Sequence, residues 1–65
     1  MCEFTVYLVE EGQEKKVVAK NIVIARRRDG KMLLIDVMGA VTPVENVNIE
    51  ETNTLSQEMV LKRDK

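Results

Sequence analysis

The sequence predicts an all-β protein, a small rolled sheet or barrel of about seven short strands that pairs with a second copy of itself. Three observations carry this. Runs of β-forming residues alternate with period two. An Asp29-Gly30 pair sits between two such runs. Several strands are apolar on both faces, and 65 residues form one domain (1–65) too thin to bury both. Domains of this size bury only about 60% of the surface their unfolded chains expose, and a symmetric dimer is the commonest remedy.

Residues 3–10 form the first strand, with Phe4, Val6 and Leu8 on one face and Glu3, Thr5, Tyr7 and Val9 on the other. Cys2 extends the face of Phe4. Glu11-Gly12 is a turn signal, and residues 16–20 return as a short second strand. The stretch NIVIARRRDGKMLLIDV then gives the third and fourth strands around Asp29-Gly30, the strongest short hairpin signal. A two-residue turn sets Arg28 opposite Lys31, Ile24 opposite Ile35 and Ile22 opposite Val37. Leu33 then joins Ile22, Ile24, Ile35 and Val37 on the face expected to be core. Val23, Ala25, Met32 and Leu34 make the other face, expected to meet the second chain. Gly39 ends this strand, and residues 40–44 form the next, with Pro43 confined to an edge or a bulge. Val47 and Ile49 alternate with Asn48 and Glu50 in a sixth strand. Residues 52–56 read as a loop, and residues 59–61 as the last strand before a charged tail. Leu55 and Met59 also have the spacing of a short helix within residues 50–61, the competing reading of that segment.

An apolar fraction of 45% with 32% charged residues is the balance of a soluble globular chain. No apolar run approaches the roughly 20 residues that span a bilayer, and no charged segment precedes an apolar one as in a signal peptide. A cytoplasmic location is therefore expected. In that reducing compartment the single cysteine is a thiol or a metal ligand, not half of a disulfide. A core this small rarely supplies more than about 3–5 kcal/mol without a disulfide, a metal or a partner. One cysteine excludes an internal disulfide, leaving the metal and the second copy.

Catalysis is not indicated. Without histidine there is no Ser-His or Cys-His pair, and the commonest general base is missing. Glu10, Glu11, Glu14, Asp29, Asp36, Glu45, Glu50, Glu51 and Glu58 are scattered over turns and polar strand positions. Asp36 lies among apolar residues and is expected to satisfy backbone amides in the turn leading to Gly39. Glycine-rich phosphate loops and calcium-loop spacings are absent. The run Arg26-Arg27-Arg28 with Lys31 suggests an alternative, a small RNA-binding module whose hairpin tip clamps phosphates. Against it stand a net charge of −1, from 10 basic and 11 acidic residues, where a nucleic-acid binder is expected to be basic. Base stacking also needs exposed aromatics, and the chain has only Phe4 and Tyr7. Alternation sends Arg27 to the face opposite Arg26 and Arg28, so a solvated hairpin end is the plainer reading.

Cys2 is either a small hydrophobe at the edge of the core or a ligand. If Met1 is removed, the new terminal amine and the Cys2 thiolate close a five-membered chelate ring. If Met1 stays, its amine, the Cys2 amide nitrogen and the thiolate form two fused five-membered rings. Either set of N and S donors suits square-planar Ni(II) or Cu(II), and a two-fold dimer brings two such ends together. A metal-free interaction subunit is the third reading.

The Met1-Cys2 start, the Val6-Tyr7-Leu8 strand, Gly12, the Asp29-Gly30 hairpin, Leu33 to Asp36, Val37-x-Gly39 and a closing strand ending in Leu61 together resemble the CooT family of small bacterial and archaeal proteins. The resemblance covers nearly the whole chain; the loop from Thr52 to Gln57 is longer than the usual turn there. It implies a homodimer of small β-sheet protomers and a nickel-binding accessory role in the maturation of carbon monoxide dehydrogenase. It also implies that Cys2 is a Ni(II) ligand. Relatives have also been labelled RNA-binding proteins.

Overall fold

The structure is a computed structural model, and it describes residues 2–64. Met1, whose amine is one of the expected donors, lies outside the described residues. Six strands form one sheet: β1 (Phe4–Val9), β2 (Lys16–Arg28), β3 (Lys31–Asp36), β4 (Val41–Glu45), β5 (Val47–Asn53) and β6 (Glu58–Arg63). Their order is β4-β3-β2-β1-β6-β5, and only the β1–β6 pair is parallel. The described residues contain no helix, so the short helix considered for residues 50–61 gives way to β5, a turn and β6.

Asp29 and Gly30 have φ of 53° and 77°, the two positive values a type I′ hairpin turn requires. Arg28 faces Lys31 and Ile24 faces Ile35, as the two-residue turn predicts. Beyond Ile24 the register departs. A bulge between Ile22 and Ile24 gives Ile22 the partner Asp36 in place of Val37. Two further shifts interrupt the β1–β2 ladder, between Phe4 and Val6 and between Val6 and Tyr7. Asn21 has φ 59°, a left-handed conformation that asparagine tolerates better than most residues. The second and third strands expected from the sequence are thus one bent 13-residue strand, which is why six strands replace seven.

Bulges increase twist and bend a strand, and here they roll the sheet. The opposite edges β4 and β5 are joined by Asn46 alone. Consecutive Cα atoms lie only about 3.8 Å apart, so the two edges must meet at that residue. No β4–β5 ladder closes the roll; Arg27 instead donates to the Val47 carbonyl across the gap at 3.1 Å. The first part of β2 pairs with β1 and the last part with β3. The result has two walls, β2-β1-β6-β5 and β2-β3-β4, in a molecule whose smallest extent is 14 Å.

Between the walls lie Val6, Leu8, Ile22, Met32, Leu34, Val44, Val47, Met59 and Leu61, with Phe4, Val18 and Ala19 packed against them. This corrects the expected core face of the hairpin. Of Ile22, Ile24, Leu33, Ile35 and Val37 only Ile22 is buried. Leu34 is fully buried, whereas Ile24 is 39% exposed. The Val23 bulge is the cause. Phe4 and Ile22 share the inner side, but the extra residue reverses the alternation, so Ala25 and Arg27, opposite Leu34 and Met32, fall on the side of Ile22 while staying exposed themselves. The spare apolar face is therefore Ile24, Leu33 and Ile35, continued on β4 by Val41 and Pro43, and not Val23, Ala25, Met32 and Leu34. Pro43 sits on an edge strand, as its missing N–H demands.

Candidate metal centre at the amino-terminal corner

Cys2 stands two residues ahead of β1, exposed and with a free thiol. It is not packed at the edge of the core. A short hydrogen-bond network around it fixes the corner. Asn21 Nδ2 donates to Glu3 Oε1 at 2.7 Å, and Val37 N donates to the Asn21 carbonyl at 3.1 Å. Thr5 N donates to the Gln57 carbonyl at 3.0 Å. The bend of β2, the turn after β3 and the start of β6 are thereby held beside the first residues of the chain. Asparagine inside an apolar run was the only sequence signal for the first of these ties.

Asp36 does the structural job its surroundings suggested. Its Oδ1 accepts from Met38 N and Ala40 N, both at 2.9 Å. Its carbonyl accepts from Gly39 N at 2.9 Å, and its own N–H donates to the Ala40 carbonyl at 3.0 Å. The other side of the sheet shows a different polar set. Tyr7 OH donates to Glu58 Oε2 at 3.3 Å, and Lys15 Nζ lies 4.6 Å from the Tyr7 ring centroid. Desolvation, then the Glu58 charge and its hydrogen bond, hold the Tyr7 phenol above its ordinary range. Glu10 pairs with Arg63 at 2.9 Å and Glu45 with Lys31 at 3.6 Å.

Among the described residues no three His, Cys, Asp or Glu side chains are grouped to hold a metal ion. What one chain offers is a single exposed thiol beside main-chain nitrogens. That donor set is soft and mixed, of the kind that suits Ni(II) or Cu(II). The basic residues do not form one clamp. Arg27 turns inward to Val47 and to Asn48 Oδ1, while Arg26 and Arg28 lie on the outer side with Lys31, which is paired to Glu45.

The fold and the corner define a class: a small, open-rolled β-sheet protein with one exposed thiol where its first strand begins. Residues 1–62 match the family described as CO dehydrogenase accessory protein CooT, and the chain belongs to the CooT family. A solved structure described as "putative CooT from Carboxydothermus hydrogenoformans" superposes with a TM-score of 0.84, covering 98% of this chain and 100% of that one. The two are 17% identical, so the likeness establishes the fold. No curated protein matches the sequence. Among the described residues no helix is long and apolar enough to cross a membrane.

Proposed function

We propose that this protein is a non-catalytic, nickel-handling accessory protein of the cytoplasm. Two copies hold one Ni(II) between their amino termini, as cargo for a client metalloenzyme such as carbon monoxide dehydrogenase. The observation that carries the proposal is the exposed Cys2 thiol at the head of β1 in a chain of the CooT family. Cys2 supplies the thiolate, and the Met1–Cys2 main chain supplies nitrogen. An exposed donor ahead of a strand can gain and lose a metal without disturbing the core, which suits delivery more than permanent retention.

Native mass spectrometry during titration with a Ni(II) salt tests this directly. One nickel per two chains is expected, with thiolate-to-metal absorption in the near ultraviolet. Cys2→Ser should abolish the band and the tight binding while the far-ultraviolet dichroism stays unchanged. An amino-terminal tag should weaken binding by replacing the terminal amine. If Cys2→Ser binds nickel as tightly as the parent, the nickel reading fails and the metal-free interaction subunit takes its place.

A further inference from the structure

We infer that Asn21 is a positioning residue for the metal-binding amino terminus: its side-chain amide clamps Glu3, the neighbour of Cys2, and orders the donor segment before a metal arrives. This rests on the nickel reading for what the terminus binds; the clamp itself stands without it. Among the described residues Phe4 is the first with a ladder partner, Ile22, and Thr5 N is tied to the Gln57 carbonyl. Ahead of them the sheet gives Cys2 and Glu3 no strand partner. The side chain of Glu3 makes the tie instead, accepting from Asn21 Nδ2 at 2.7 Å. That length belongs to a hydrogen bond with a charged acceptor, roughly twice as strong as a neutral one.

The other end of the clamp is fixed by the backbone. Asn21 has φ of 59°, and its carbonyl accepts from Val37 N at 3.1 Å. That bond joins it to the turn that Asp36 holds through Met38 N and Ala40 N. Asparagine meets both demands of position 21, since it tolerates a left-handed backbone and carries an amide donor. Glycine would accept the backbone and offer no donor. Aspartate would set a second carboxylate against Glu3. A chelate through main-chain nitrogen and the Cys2 thiolate fixes the chain at Cys2, and the next residue is already fixed by the clamp. A segment ordered in advance loses less entropy on binding than a free one.

Glycine separates this role from a merely structural one. Asn21→Gly keeps the positive φ and the carbonyl bond to Val37 and removes only the clamp, so far-ultraviolet dichroism should match the parent. Titration with a Ni(II) salt, read by thiolate-to-metal absorption, should show binding about 5- to 30-fold weaker, the equivalent of leaving one residue's backbone unfixed beforehand. The band should keep its position, because the donors are unchanged. Glu3→Ala should weaken binding equally, and the double variant no further, since both remove one interaction. Glu3→Gln keeps an acceptor and should restore about half of the loss on a logarithmic scale. Without metal, amide nuclear relaxation should find Cys2 and Glu3 ordered in the parent and mobile in Asn21→Gly. Parent-like affinity in Asn21→Gly would overturn the inference and leave the nickel reading in place. Glu3→Gln as weak as Glu3→Ala would overturn it in favour of a carboxylate that binds the metal itself. A parent that takes up no Ni(II) would overturn the nickel reading, and the positioning role with it, even where relaxation shows the clamp.

Discussion

Tyr7 is the only tyrosine in the chain, so its ionisation can be followed by tyrosinate absorbance without ambiguity. Its pKa is raised by desolvation first and by Glu58 second. A raised phenol pKa favours the protonated form in the folded state, so this contribution to stability is complete below the unfolded value near 10. It is lost as pH rises through the folded value. Glu58→Gln should shift the Tyr7 titration to lower pH and move the alkaline loss of stability with it; an unmoved titration would show that desolvation alone sets it. Asp36 yields a second test. Asp36→Ala removes the acceptor of two backbone amides and should cost about 1–3 kcal/mol in denaturant unfolding. Asp36→Asn keeps the acceptor oxygen and should cost less. The role of Asp36 was legible from its position before Gly39. The exposure of Cys2 was not, because a cysteine continuing an apolar strand face reads equally well as core.

The hairpin shows where period-two reading succeeds and where it stops. Asp29-Gly30 specifies a I′ turn through backbone sterics alone, so the pairing of Arg28 with Lys31 and Ile24 with Ile35 could be read directly. The core face could not. Both faces of the hairpin are apolar, so alternation had no polar side to exclude, and one extra residue at Val23 then decided the matter. A bulge is a property of three strands meeting, β1, β2 and β3 around Ile22, and leaves little local trace. The assignment can be checked by neighbouring truncations. Leu34→Ala should cost about 2–5 kcal/mol, the range for a fully buried leucine. Leu33→Ala, on the outer side opposite Pro43, should cost roughly half of that or less, because less area returns to water. Equal costs in chemical denaturation would mean that the hairpin does not have the parity described.

The last strand in sequence, β6, lies between β1 and β5, so the sheet is completed only when the two ends of the chain come together. Such a fold depends on long-range pairing, and its core is one layer of side chains between two walls. In the proposed homodimer, burial against another copy would be a second source of stability. The melting temperature should therefore rise with protein concentration even without metal, since dimer formation favours the folded state by mass action. Nickel should add a separate increment. A ligand that binds only the folded dimer contributes about 2.7 kcal/mol at a free concentration one hundred times its Kd, and that contribution should disappear on adding a chelator. Cys2→Ser separates the two terms: it should retain the dependence on protein concentration and lose the response to nickel. Differential scanning fluorimetry across a hundredfold dilution, with and without Ni(II), measures both terms. A parent melting temperature that does not change with dilution, while nickel still raises it, would mean that one chain completes the site alone.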